Sequence, residues 1–140
     1  MGQIPKIIHY CWFGNNEKPS LVKQCIQSWK HYCPDYEIIE WNETNYNVGE
    51  SDFIKEAYEA KQWAFVSDYV RAYVLSEYGG IYLDTDLELL QPMDGFLTDN
   101  SFLGFEVNDL LATGVIGCAK NNSIIRAMFE YYQNKQFEEN

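Results

Sequence analysis

A chain of 140 residues has room for one compact domain with a real core and too little for two. With 46% hydrophobic and 16% aromatic residues it is neither disordered nor low in complexity. A net charge of -11, with ten scattered basic residues, argues against nucleic acid as a partner and implies that a phosphorylated ligand would come with a divalent cation to mask repulsion.

Residues 4–13 (IPKIIHYCWF) read as a buried strand closed by Gly14-Asn15-Asn16. Pro19 opens a helix through Tyr32 with Leu21, Val22, Cys25, Ile26 and Trp29 on one face. Cys33-Pro34-Asp35 stops it, and residues 36–41 form a second strand before an Asn-rich loop. Ser51 caps a short helix starting at Asp52. A longer helix runs over residues 62–78 and ends at Gly79-Gly80. Strands are expected at 81–83, 87–90, 101–106 and 113–119, and a last helix at 124–136 capped by Asn122 or Ser123. Alternating strands and helices imply a layered α/β fold in a single domain over residues 1–140.

Cys11, Cys25, Cys33 and Cys118 form no CxxC pair and read as reduced core thiols. No segment approaches the ~20 apolar residues of a membrane span, and the N-terminus lacks the pattern of a signal peptide. The expected compartment is the cytoplasm, with peripheral association at the inner face of the membrane left open.

The run Gly79-Gly80-Ile81-Tyr82-Leu83-Asp84-Thr85-Asp86 is the most informative stretch. A short apolar strand delivers two carboxylates to its C-terminal end, where open α/β sheets bind ligands. As residues i and i+2 of a strand they would share a face, ~7 Å apart, and repel unless a cation lies nearby. Such hard oxygen ligands suit Mn²⁺ or Mg²⁺. A lone D-x-D is also compatible with a solvated turn. An EF-hand is excluded because Leu89 stands where Gly is needed and Gly95 where Glu is needed. A haloacid-dehalogenase-like phosphatase is disfavoured by Glu88 at the position of its usual Thr or Val.

The helix WAFVSDYVRAYVLSEY carries a second signal. With Asp68 at zero and ~100° per residue, Trp63, Val66, Val70, Tyr73 and Val74 cluster into a core face at about 190°. Asp68 and Arg71 fall opposite, yet beside Ala64, Ala72 and Leu75. A helix apolar on both faces is expected to be covered on both, so these charges would line a cleft rather than form a plain surface i, i+3 pair.

Together, IPKIIHYCWFG and SDYVRAYVLSEYGGIYLDTD resemble glycosyltransferase family 32 and its relatives. These include mannosyltransferases, bacterial capsule and surface-polysaccharide sugar transferases and, more distantly, clostridial glucosylating toxins. The resemblance implies a GT-A fold, a Rossmann-like nucleotide-sugar-binding layered architecture. It further implies a nucleotide-sugar donor (a UDP-hexose), Mn²⁺ or Mg²⁺, a glycan acceptor and retention of anomeric configuration. By position, Trp12 would stack on the base, and Asp68 and Arg71 would contact sugar and ribose hydroxyls. Tyr82 would line the diphosphate pocket, Asp84 would approach ribose and metal, and Asp86 would ligate the metal. Catalytic roles thus fall on Asp68, Arg71, Asp84 and Asp86. His9 reads as a strand residue near the cleft and His31 as a helix-end residue.

After Asp86 the resemblance loosens, and Glu106 and Asn108 are only candidates. Catalytic domains of the family carry further chain after the last helix, so the sequence reads as such a domain lacking its C-terminal part. A silent nucleotide-sugar-binding module needing a partner is the second reading, and a metal-dependent phosphohydrolase the third.

Overall fold

The computed structural model describes residues 4–97, 101–107 and 110–134, with side chains for 4–95, 97 and 115–134. In chain order these form β1 (Ile7–Cys11), α1 (Ser20–Tyr32), β2 (Glu37–Trp41), α2 (Asp52–Glu59), α3 (Trp63–Tyr78), β3 (Gly80–Leu83), a 3₁₀ turn (Asp94–Phe96), β4 (Ser101–Val107), β5 (Leu110–Cys118) and α4 (Ser123–Gln133). The strands make one sheet in the order β2-β1-β3-β5-β4. β1 runs parallel to both β2 and β3, and β5 runs antiparallel to β3 and β4.

Side-chain alternation along the strands divides the core in two. Ile8 and Tyr10 of β1 and Ile81 and Leu83 of β3 pack with Val22, Ile26 and Trp29 of α1. Cys11 and Tyr82 face the other way, onto Phe53 and Ile54 of α2, Val66 and Val70 of α3, and Ile125 of α4. The sheet is therefore covered on both faces. α3 buries Val66, Tyr69, Val70, Ala72, Val74 and Leu75, residues spread around the helix, in keeping with its two apolar faces. Ser51 and Asn122 cap α2 and α4 as read from the sequence: Ser51 Oγ accepts from Ile54 N, and Asn122 Oδ1 accepts from Ile124 N and Ile125 N. All four cysteines are free and buried.

Two expectations need correction. The first strand covers only Ile7–Cys11, because Pro5 has no N–H to give a ladder and Ile7 N turns back to Pro5 O at 2.9 Å. Residues 87–90 form no strand. Their backbone groups are satisfied by α1 side chains instead: Trp29 Nε1 donates to Leu87 O at 2.8 Å, and Leu89 N donates to Ser28 Oγ at 2.9 Å.

The passage from α3 to β3 rests on two glycines with positive φ, +70° at Gly79 and +114° at Gly80. A Cβ on Gly79 would meet Lys120 N at 2.6 Å, and one on Gly80 would meet Ile7 O at 2.7 Å. Gly79 O accepts from His9 Nε2 at 2.8 Å, while His9 Nδ1 accepts from Trp41 Nε1 at 3.0 Å. That pairing fixes the neutral imidazole with its proton on Nε2. Burial holds the His9 pKa below its ordinary 6.5, partly offset by the Gly79 carbonyl.

Gly79→Ala and Gly80→Ala should each cost about 1–3 kcal/mol in denaturant unfolding. Gly95→Ala, whose added Cβ meets nothing within 4 Å, should be near neutral. A depressed histidine pKa contributes stability that is present above the unfolded value and lost as pH falls through the folded one. The thermal midpoint should therefore fall between pH 7 and pH 5, and that part of the fall should be missing in His9→Gln. Parallel pH profiles for the two proteins would refute the buried neutral imidazole.

Candidate functional site

The C-terminal ends of β1 and β3 open onto a cleft of about 660 Å³ beside α3. Asp68, Arg71, Tyr82, Asp84 and Asp86 all line it. Its opposite wall is apolar, with Ile116 from β5 and Ile124, Ile125 and Met128 from α4. A second lobe of about 340 Å³ shares Cys11, Ala64, Ser67 and Thr85 with the first, so the two are continuous. Trp12 and Trp63 line that lobe. The sequence-derived candidates thus converge: five in the acidic lobe and Trp12 in the aromatic one.

Asp84 follows the last residue of β3, and Leu87 N donates to Asp84 O at 3.1 Å. Asp84-Thr85-Asp86-Leu87 is accordingly a hydrogen-bonded turn, not a continuing strand with both carboxylates on one face by i, i+2 spacing. Both carboxylates still face the cleft, Asp84 half-buried and Asp86 exposed. The turn is held from behind by the α1 contacts of Trp29 and Ser28.

Arg71 and Asp68 pair across one turn of α3, Nη2 to Oδ1 at 3.1 Å, with side chains 18% and 33% exposed. The Arg71 guanidinium also lies 5.6 Å from the centroid of the Tyr82 ring. Its Nε is buried without a hydrogen-bond partner among the described residues. Such an orphaned donor is costly unless a ligand or water completes it. Burial raises the Asp68 carboxyl above its ordinary pKa while Arg71 opposes. Burial likewise raises Asp84; Arg71 lowers it, and Asp86 and Asp68 push it up again. Tyr82 is pushed well above the ordinary phenol value by burial, with Cys11 and Asp84 adding, so its hydroxyl stays protonated. Cys11 is buried between the lobes, its pKa pushed up to about 12, and is an unreactive thiol.

Three crowded carboxylates with one cation among them form an anionic pocket whose repulsion a hard divalent ion would relieve. Asp84 and Asp86 fit Mn²⁺ or Mg²⁺ as a two-carboxylate platform of the kind that leaves positions for water and phosphate oxygens. Among the described residues no group of three His, Cys, Asp or Glu side chains could hold a metal by itself.

Periodicity puts Trp63 on the core face of its helix. It does pack edge-on against Tyr58, at 5.4 Å between centroids, but it also walls the aromatic lobe. Its place in the first turn of α3, beyond most of the core contacts, leaves it half-buried. Gly14 makes room for it, since a Cβ there would lie 2.8 Å from the indole. His9 is fully buried in the β1–β2 packing rather than at the cleft. Glu106 has its side chain, and Asn108 the whole residue, outside the described ones.

Comparison with known proteins bears on the same region. Residues 19–103 match the family described as glycosyltransferase sugar-binding region containing DXD motif, a span that includes Asp68, Arg71, Tyr82, Asp84 and Asp86. Inositol phosphoceramide mannosyltransferase 3 of Schizosaccharomyces pombe is 29% identical over 133 residues, covering 87% of this chain and 35% of that protein. Mannosyl phosphorylinositol ceramide synthase SUR1 of Saccharomyces cerevisiae is 33% identical over 125 residues, covering 79% and 31%. Subversion of eukaryotic traffic protein A of Legionella pneumophila is 27% identical over 161 residues, covering 90% and 24%. The chain therefore spans between 24% and 35% of the length of these three curated relatives. Among solved structures, PaToxG glycosyltransferase superposes with a TM-score of 0.67 at 20% identity, covering 96% of this chain and 63% of that one. That likeness shows a mixed α/β fold of the GT-A type. With more than half of its length matched, the acidic motif included, the chain belongs to the DXD-containing glycosyltransferase sugar-binding family.

Proposed function

We propose that this chain forms the donor site of a metal-dependent, retaining glycosyltransferase that moves a hexose from a nucleoside diphosphate sugar to a glycan hydroxyl. The observation that carries the reading is the convergence of Asp68, Arg71, Asp84 and Asp86 on one cleft that continues into a tryptophan-lined lobe. The proposed donor is a UDP-hexose and the proposed acceptor a bacterial capsular or surface polysaccharide, both by family resemblance. The mannosyl names of two relatives bring mannose donors into the test, and the inositol-containing ceramides in those names add a glycolipid arm. Among the described residues no helix is long and apolar enough to cross a membrane. Work at the cytoplasmic face of the membrane is part of this proposal.

In this reading Trp12 stacks on the base, with Trp63 as the facing wall of its lobe. Arg71 places its guanidinium on the diphosphate, and the buried Nε gains the acceptor that it lacks among the described residues. Tyr82 supports the guanidinium from below through its ring. Asp68 holds Arg71 in place and offers its remaining lone pairs to sugar hydroxyls, fixing the orientation of the anomeric carbon. As the bond to the diphosphate breaks, Arg71 faces the growing negative charge as a preorganised cation. Asp84 and Asp86 would hold Mn²⁺ or Mg²⁺, which when bound would supply Lewis-acid stabilisation of the leaving diphosphate.

Calorimetry should show UDP or GDP binding that Mn²⁺ strengthens, with a loss of more than about tenfold in Asp86→Ala. Equal binding in EDTA and in the variant would remove the metal from the site. A donor panel of UDP- and GDP-hexoses read by mass spectrometry separates transfer from binding alone, and release of phosphate from simple phosphoesters would instead indicate a hydrolase.

Stability provides an independent check. A carboxyl with a raised folded pKa contributes stability at acidic pH, below the unfolded value of about 3.9, and loses it as pH rises through the folded value. At neutral pH and without metal, Asp84 therefore opposes folding. Asp84→Asn should raise the thermal midpoint in EDTA by roughly 2–5 °C and abolish the increase that Mn²⁺ produces in the parent. A lower midpoint in EDTA would contradict the electrostatic account.

A further inference from the structure

Trp12 is held at three points. Its backbone N–H donates to Trp41 O at 2.9 Å, its Nε1–H donates to Asn16 O at 2.8 Å, and Lys18 Nζ lies over the ring, 5.9 Å from a ring centroid. Lys18 is itself anchored, pairing with Glu40 Oε1 at 2.7 Å, and the two side chains are only 25% and 28% exposed. Glu40 receives two more hydrogen bonds, from Tyr10 Oη at 2.8 Å and from Asn42 Nδ2 at 2.5 Å. Burial pushes the Glu40 carboxyl up, but its bonds to Lys18, Asn42 and Tyr10 outweigh burial and keep its pKa below the ordinary value.

An ordinary surface ion pair does little, because two long side chains must be immobilised for a screened attraction. This one differs in its foundation. Tyr10 and Glu40 are register partners across the β1–β2 ladder, so the carboxylate that holds Lys18 is fixed by the sheet. The loop leaving β1 bends through positive φ at Gly14 and Asn15, and Lys18 lies beyond that bend. Its ammonium thus ties the far side of the loop back to β2 and lies over the indole. Trp12 also lines the aromatic lobe.

Resting on the donor-site reading above, we infer that Lys18 and Glu40 are positioning residues for nucleobase recognition: they hold Trp12 with one indole face covered by the ammonium and the other presented to the base. The pair sits next to the base lobe and lines none of the acidic lobe. Its effect should therefore fall on the base and spare the diphosphate.

The test is calorimetry on the full chain with Mn²⁺, titrating UDP, with GDP in parallel, and inorganic pyrophosphate, and monitoring thermal midpoints of each variant. In Lys18→Met and Glu40→Gln, affinity for the nucleotide that the parent binds should fall about three- to tenfold while pyrophosphate affinity stays within about twofold. Lys18→Arg, which keeps both the ion pair and the cation over the ring, should recover most of the loss. An unchanged nucleotide affinity in Lys18→Met, or equal losses for nucleotide and pyrophosphate, overturns the inference. If the parent binds nucleotide and loses it in Trp12→Ala while Lys18→Met has no effect, this inference alone fails. If the parent binds neither nucleotide, the donor-site reading fails and takes this inference with it.

Discussion

The reversal at Gly79-Gly80 is the constraint on which the site depends. α3 ends there and β3 starts at once, so helix and strand run back along each other from a common hinge. From Arg71 to Gly79 the helix advances about 12 Å, and from Gly80 to Asp84 the strand advances about 13 Å. The two rises nearly cancel, and Arg71 arrives level with Asp84. The β1–β3 register, with His9 opposite Tyr82, then sets the C-terminal end of β1 beside that of β3, and Cys11 and Trp12 reach the same two-lobed cleft as Asp84 and Thr85. Three separated stretches of sequence meet at one cleft because the hinge has no length to spare. Backbone at Lys120 and Ile7 crowds the two glycines, so no side chain fits there.

That hinge also explains why charges tolerate the interior position of α3. Arg71 sits among Asp68, Asp84 and the Tyr82 ring, so its desolvation is offset by charge and by a π face. Among the described residues the compensation is incomplete: two carboxyls remain raised and one guanidinium nitrogen has no hydrogen-bond partner. A core selected for stability alone would resolve these conflicts with neutral residues. Their persistence in a cleft matches a site whose charges are completed by ligand.

Much of this was legible in the sequence, for identifiable reasons. The helix from Trp63 to Tyr78 showed itself through apolar residues on both faces, and the glycines marked its end. The site residues on α3 and after β3 stood out as charges in apolar surroundings. Periodicity could not show which backbone groups would be satisfied by side chains. Residues 87–90 have a strand-like pattern, but Trp29 and Ser28 of α1 take the hydrogen bonds that a ladder would have used. The same limit hid the turn at Asp84 and the role of Trp63, whose periodic position gave it a core face while the end of the helix left it at a lobe. Lys18 and Glu40 carried no local signal, because their meeting depends on the β1–β2 register.

The two faces of the sheet contribute different things to the cleft. On one face, α3 and α4 supply its walls, a charged one and an apolar one. On the other, α1 supplies no lining to the acidic lobe but secures the chain that leaves it, through a buried indole and a hydroxyl. A turn bearing two like charges would by itself favour conformations that spread them apart. Leu87 and Leu89 are bonded to α1, and Leu83 is buried in the sheet against the same helix, so both ends of the turn are fixed to one rigid body. The acidic motif is therefore best understood as a constrained turn held from behind by Trp29 and Ser28. That anchoring keeps both carboxylates on the cleft, as the proposed cation site requires.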